Sequence, residues 1–96
     1  MRMMLKVTIP AAKGSEAAQD GSMQRTIEAT MDRLKPESAY FALSDGQRMA
    51  QFVFDLESTV IIPMILEPIW AALDADVELQ PVTTYEELGK ALEGVG

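Results

Sequence analysis

The chain has 96 residues, 48% of them hydrophobic, and a net charge of −7. This size predicts a single domain over residues 1–96 that buries about two thirds of its unfolded surface. Cysteine and histidine are both absent, which excludes disulfides, the common zinc and haem sites, thiolate nucleophiles and a Ser-His-Asp relay. We expect no cofactor. Carboxylates alone could still hold Mg²⁺ or Ca²⁺, but no Asp-rich loop has the spacing of a calcium site, so no metal ion is expected either.

The charge is unevenly placed along the chain. Residues 1–48 hold seven basic and six acidic side chains, whereas residues 49–96 hold Lys90 against nine acids. Nucleic acids and anionic membrane surfaces are bound through basic patches, so neither is expected as a partner. Residues 1–18 have the early positive charge of a secretion signal, but Lys6 interrupts their short apolar run. We therefore expect a cytoplasmic protein.

The first third of the chain predicts a strand, a loop and a helix. Alternating apolar residues predict a strand over residues 2–9. The stretch PAAKGSEAAQDG, residues 10–21, is small, polar and glycine-punctuated, and predicts a long loop that is either a lid or a plain surface insertion. A helix is expected to begin near Ser22 and to end at Pro36. Its core-facing stripe is formed by Met23, Ile27, Met31 and Leu34.

The clearest local signal is Asp45-Gly46, a favoured pair for a two-residue hairpin turn. With this turn Ser44 lies opposite Gln47, and the numbers of all paired residues sum to 91. One face of the hairpin then carries Ala39, Phe41, Leu43, Ala50, Phe52, Phe54 and Leu56, and the other carries Ser38, Tyr40, Ala42, Met49, Gln51, Val53 and Asp55.

The stretch VIIPMILEPIWAAL, residues 60–73, predicts a core helix. It is too short to span a membrane, and its two prolines argue against a strand. At about 100° per residue, both prolines and Glu67 lie on the outer side, so Glu67 is expected at the surface. Met64 on the same side is a candidate subunit contact. The inward stripe is formed by Ile62, Leu66, Ile69 and Leu73.

The end of the chain predicts a fourth strand and a short helix. DADVELQPV, residues 74–82, has Val77 and Leu79 on one side, and its proline suits an edge strand. TTYEELGKALEGVG, residues 83–96, opens with a capping box from Thr84 to Glu87. Tyr85, Leu88 and Leu92 are expected to point inward.

The order of elements predicts an α+β, ferredoxin-like β-α-β-β-α-β domain with a short C-terminal helix. Its four-stranded antiparallel sheet has the order 4-1-3-2, with both main helices on the apolar face. The opposite face, called the open face, mixes apolar and polar residues, which suits a pocket or a partly wet dimer interface. Lys6 and Glu78 lie on neighbouring strands of this face and are expected to pair. The candidate pocket residues are Lys6, Thr8, Tyr40, Gln51, Asp55 and Glu78.

The stretches TIEATM, PESAYF, FVFDLES followed by IPMILEPIW, and VELQPVTTYEEL cover most of residues 3–92. In them the chain resembles the dimeric α+β barrel superfamily, and in particular a group of small uncharacterised bacterial proteins. The resemblance implies a homodimer in which two sheets face each other and enclose a cavity in each subunit. It carries no catalytic signature.

The superfamily includes cofactor-independent monooxygenases, muconolactone-type isomerases and haem-dependent enzymes, of which the last usually need an axial histidine that this chain lacks. RNA-recognition domains share the topology, but QRMAQFVF lacks the glycine and aromatic spacing of their stacking motif.

Three functions stay open for the expected homodimer. In an enzyme, Tyr40 would donate a hydrogen bond or relay a proton, Lys6 and Glu78 would form a charged pair, and Gln51 and Thr8 would orient the substrate. A non-catalytic, regulatory module would instead hold a small amphipathic ligand unchanged. A purely structural dimer would fill the space between the sheets with side chains.

Overall fold

A computed structural model describes residues 1–96 as four strands and four helices. The strands are β1 (Arg2–Ile9), β2 (Ser38–Ser44), β3 (Gln47–Asp55) and β4 (Asp76–Pro81), and the helices are α1 (Ala11–Asp20), α2 (Ser22–Leu34), α3 (Ile62–Leu73) and α4 (Tyr85–Val95). The sheet is antiparallel, with the order β2-β3-β1-β4. This is the predicted order 4-1-3-2 read from the other edge, and the α+β, ferredoxin-like arrangement is confirmed.

The core lies between one face of the sheet and the helices α1, α2 and α3. β1 is central and alternates strictly, with every second side chain buried and the others half-buried. Removal of apolar surface from water on this face is the main source of stability. The core contains Met3, Leu5, Val7, Ile9, Ala17, Leu34, Ala50, Phe52, Phe54, Leu56, Ile65, Leu66, Ile69, Leu73 and Ala75.

The β2–β3 hairpin has the predicted register. Ser44 pairs with Gln47, and the pairing continues without a bulge to Ser38 opposite Val53. Asp45 and Gly46 have φ angles of 51° and 77°, and two consecutive positive φ angles define the turn type whose twist matches two paired strands. The Asp-Gly pair therefore fixes which side chains of β2 and β3 share a face.

The double-proline segment forms α3 with the predicted phase. Its buried side chains are Ile65, Leu66, Ile69 and Leu73, whereas Pro63, Glu67 and Pro68 are exposed. Pro63 occupies the first turn, where a missing N–H costs no hydrogen bond. The prediction that Glu67 is a surface residue is confirmed. No helix of the chain has the length and apolar content needed to cross a membrane.

The loop predicted over residues 10–21 is wrong, because residues 11–20 form α1. Its glycines favoured a loop, yet Gly14 and Ala17 are the buried residues of this helix. Small residues on the buried side weaken the apolar periodicity that identifies helices, but they allow close packing. Gly21, at φ 85°, ends α1 and leads directly into α2. A hydrogen bond from Ser22 to the Asp20 carboxylate lowers the pKa of Asp20 and fixes this junction.

The hairpin pattern predicted that the helices cover the whole apolar face, but they cover only part of it. Phe41 and Leu43 of β2 are 55% and 74% exposed, because β2 is an edge strand and the helices lie mainly over β1 and β3. The predicted stripe of α2 is also only partly buried. Thr30 and Leu34 are buried, Met23 and Ile27 are half-buried, and Met31 is exposed. Part of the apolar face near β2 is therefore not covered by a helix.

The C-terminal helix α4 forms, but the prediction that its apolar side points inward is wrong. None of its residues is buried, and Tyr85 is 89% exposed. The capping box is present: the Glu87 amide donates to the Thr84 hydroxyl at 3.1 Å, and the Glu87 carboxylate accepts from the Thr84 amide at 3.2 Å. Arg2 forms ion pairs with Glu37 and with Glu87, and the second of these ties the first turn of α4 to β1.

Acid should weaken the contacts that hold the first turn of α4. Hydrogen bonds from the side chain and backbone of Thr84, with a smaller contribution from Arg2, lower the pKa of Glu87. A carboxyl group with a lower pKa in the folded state stabilises that state above its unfolded pKa. This contribution is lost as pH falls through the folded pKa. We expect the exchange protection of the Thr84 amide, which donates to the Glu87 carboxylate, to fall in that acid range when it is measured by NMR.

The matched variant for this prediction is Glu87→Gln, which keeps the shape of the side chain and cannot titrate. In this variant the Thr84 amide should be less protected at neutral pH and should show no acid transition. An acid transition of the same size in Glu87→Gln would contradict the assignment to Glu87.

Candidate functional site

Four of the six candidate residues form one straight row across the open face. Tyr40 pairs with Gln51, Gln51 with Lys6, and Lys6 with Glu78, so the row contains one residue of every strand. At a strand spacing of about 4.8 Å the row extends over roughly 14 Å. Gln51 and Lys6 occupy the two central strands and are half-buried, whereas Tyr40 and Glu78 at the edges are exposed.

The rows on either side of these residues are mainly apolar near the centre of the sheet. One neighbouring row consists of Ser38, Val53, Met4 and Gln80, and the other consists of Ala42, Met49, Thr8 and Asp76. The central strands thus place Val53 and Met4 on one side of Lys6, and Met49 on the other. The open face has a polar line with apolar flanks, which is a surface for a molecule of mixed polarity.

A shallow polar depression of about 260 Å³ lies at one end of this face. Lys6, Thr8 and Glu78 line it together with Asp76 and the β2–β3 turn. Three predicted site residues are therefore brought together around one cavity. No group of three or more carboxylates is close enough to hold a metal ion.

Lys6 and Glu78 are cross-strand neighbours, as predicted, but their side chains do not form an ion pair. The four ion pairs of the chain involve the terminal amine, Arg2 twice and Lys13. The side chains of the row also make no hydrogen bonds to one another. Their donors and acceptors are therefore available to a ligand.

Asp55 lies apart from the other candidates. It pairs with Arg2 at the far end of β1, four residues along β3 from Gln51, a distance of roughly 13 Å. Its carboxylate accepts a 2.7 Å hydrogen bond from the terminal ammonium of Met1. The structure therefore places Asp55 at the end of the sheet that holds α4.

A second cavity, on the opposite face of the sheet, was not predicted. This edge groove has a volume of about 400 Å³, and twelve of its fifteen lining residues are hydrophobic. It lies between β2 and α2, where no helix covers the apolar face. Prominent members of its lining are Met23, Ile27, Phe41, Leu43, Phe52 and Ile69. The hairpin pattern placed Phe41 and Leu43 on this face, but their exposure depends on the lateral position of α2.

Arg48 is the one charged residue that lines the edge groove. It is paired with Ile9 and Leu43 in the sheet, and its guanidinium lies over Gly14 of α1. A Cβ atom at position 14 would lie 2.7 Å from the guanidinium, so any larger residue there would require the flexible Arg48 side chain to move. Arg48 forms no ion pair within the chain. Its charge at the end of an apolar groove is therefore uncompensated.

No protein-family model and no curated protein matches this chain. The resemblance to dimeric α+β barrels therefore stays a prediction. The geometry defines a ferredoxin-like domain with two candidate surfaces, the polar row on the open face and the apolar edge groove on the helical face.

Proposed function

We propose that the protein is a homodimer that binds a small amphipathic molecule between two facing sheets. In this arrangement the open face of each subunit forms one wall of the pocket. The polar line of Tyr40, Gln51, Lys6 and Glu78 holds the polar end of the ligand. The apolar flanks, including Met4 and Val53, contact its apolar part.

The observation that carries the proposal is the alignment of four free polar side chains in one row. On the central strands the flanking rows hold Met4, Val53 and Met49, and a plain dimer interface is more uniformly apolar at its centre than this face is. Half-buried Lys6 and Gln51 at the middle of the row supply a cation, an amide donor and an amide acceptor. These groups fix the orientation of a ligand, while methionine side chains adapt to its apolar shape.

Binding without chemical change fits the row better than catalysis does. A catalytic base or nucleophile is usually held in place by a hydrogen bond from a second side chain. Lys6, Tyr40 and Glu78 have no such bond in the structure. A cofactor-independent enzyme of monooxygenase or isomerase type is the second candidate. It is favoured by the hydroxyl of Tyr40 at one end of the row and the carboxylate of Glu78 at the other.

Native mass spectrometry of gently purified protein tests the proposal. We expect a dimer that carries a small molecule, which the same experiment identifies by its mass. A dimer without any added mass would favour a filled, purely structural interface. Turnover of the identified molecule by the parent protein, and loss of this turnover in Tyr40→Phe, would move the assignment from binder to enzyme.

Lys6→Met should weaken the binding of that molecule by roughly 10- to 100-fold, because a hydrogen bond to a charged group contributes about 1.5–3 kcal/mol. Methionine keeps the length and the apolar stem of lysine, so the fold is retained. Isothermal titration measures the change. The control is Lys13→Met on α1, which removes an equal charge from the other side of the molecule. Equal affinities of Lys6→Met and the parent would contradict the role of Lys6.

A further inference from the structure

Two apolar surfaces of this chain are not packed against any other part of it. One is the edge groove between β2 and α2. The other is the apolar stripe of α4, formed by Tyr85, Leu88, Leu92 and Val95, all of which are exposed. An amphipathic helix of eleven residues has little stability in isolation, so a stripe of this kind is normally buried against a complementary surface.

The α4 helix cannot reach the edge groove of its own chain. Residues 82–84 alone join it to β4, and the Val82 amide donates to the Arg2 carbonyl at 3.1 Å. This anchor lies at one end of β1, whereas the groove extends from Phe52, which pairs with Leu5, to Ile9 and Leu43, so its far end is roughly 23 Å away along the strand. A helix of eleven residues is roughly 16 Å long. The groove also lies at the β2 edge, opposite the β4 edge from which α4 begins.

The charges of the two surfaces are complementary. Arg48 is the one charged residue lining the groove, and it has no acidic partner in the chain. α4 carries Glu86, Glu87 and Glu93 against Lys90, and only Glu87 is paired. An acidic amphipathic helix therefore meets a groove with an uncompensated cation.

The area of the open face also favours contacts between copies of the chain outside the two facing sheets. Four strands of about seven residues present a projected area of roughly 450 Å². A stable interface buries about 800 Å² of accessible surface per partner, so contacts beside the facing sheets would add to the stability of the dimer. Two copies of α4 seated in two grooves add two further apolar contacts to the same dimer.

From these observations we infer that α4 of one subunit docks, through Tyr85, Leu88 and Leu92, into the edge groove of a second copy of the chain. The exchange is reciprocal, as a two-fold dimer requires. It follows the helix-in-groove mode of recognition, in which residues spaced three and four apart anchor an amphipathic helix. This inference rests on the homodimer proposed above, but it concerns a different surface.

Cysteine cross-linking tests the docking directly, because the chain contains no cysteine. Leu92→Cys and Leu43→Cys are placed on separately tagged copies of the full chain, which are co-expressed and then oxidised. Both positions are exposed in the single chain, so neither variant removes a core contact. The control pair replaces Leu92→Cys by Glu93→Cys, which lies on the polar side of α4.

We expect at least roughly tenfold more disulfide-linked heterodimer from Leu92→Cys than from Glu93→Cys, since a disulfide requires Cα atoms within about 7 Å. Equal yields from the two pairs would overturn the inference, and this is also the result expected if a small molecule fills the groove. A disulfide formed within one chain, when Leu43→Cys and Leu92→Cys are placed in the same copy, would overturn it as well. Light scattering separates the two proposals. A dimer without the specific link refutes only the docking of α4, whereas a monomer refutes both the docking and the homodimer.

Discussion

Leu5→Ala should lower the free energy of unfolding by roughly 3–4 kcal/mol, which is within the range measured for leucine truncation in tightly packed cores. Leu5 is fully buried at the centre of β1, between β3 and β4. Its removal deletes apolar contacts and leaves a cavity that the two neighbouring strands cannot close. A domain of this size has about 5–15 kcal/mol of stability in total, so the melting temperature should fall by roughly 12–30 °C.

The control for this variant is Val60→Ala. Val60 lies in the short 3-10 turn before α3, is exposed, and belongs to neither proposed interface. Its truncation should change the unfolding free energy by less than about 0.5 kcal/mol. Chemical denaturation monitored by the fluorescence of Trp70 measures both variants. A loss for Leu5→Ala no larger than that for Val60→Ala would contradict the position of the core.

Tyr40→Glu should raise the dissociation constant of the dimer by roughly 100-fold, because a buried interfacial tyrosine commonly contributes 2 kcal/mol or more. Tyr40 is 70% exposed in the single chain, so the substitution removes little intramolecular packing. In facing sheets it would place a carboxylate in a low-dielectric space that already holds Glu78. Sedimentation velocity over a range of concentrations measures the dissociation constant.

Tyr40→Phe provides the matched comparison. It keeps the aromatic ring and should leave the dimer within about threefold of the parent, because only a hydroxyl group is removed. If Tyr40→Glu and Tyr40→Phe dissociate at the same concentration as the parent, then the open face is not the interface.

Local signals in the sequence were sufficient for the sheet. The Asp45-Gly46 pair determined the register of the hairpin, and the period-two pattern of β1 determined which side chains face the helices. The helical phase of residues 62–73 likewise identified the buried side of α3. These features depend on neighbours in the chain, so a single sequence contains them.

The errors concern packing between distant elements. α1 was missed because its buried residues, Gly14 and Ala17, are small and produce no apolar stripe. The exposure of Leu43 follows from how far α2 extends over β2, which no local pattern of either element records. Similarly, the apolar stripe of α4 predicted burial that the structure does not show, because helical spacing reveals an apolar side but not whether another element packs against it.

The candidate site was predicted in part. Alternation and register place Lys6, Gln51, Tyr40 and Glu78 on one face, and the structure adds that they form a single row. Asp55 shares this face, but register separates it from the row and pairs it with the terminal amine. The edge groove was not predicted. It forms where no helix covers part of the apolar face, and the strand pattern predicted that the residues there belong to the core.

Size-exclusion chromatography with light scattering is the most direct test of the central claim, that a second copy of the chain completes the open face. At micromolar concentration the unmodified protein should have twice the 10.5 kDa mass of one chain. A mass of 10.5 kDa at this concentration would contradict the facing-sheet dimer and the enclosed pocket that depends on it.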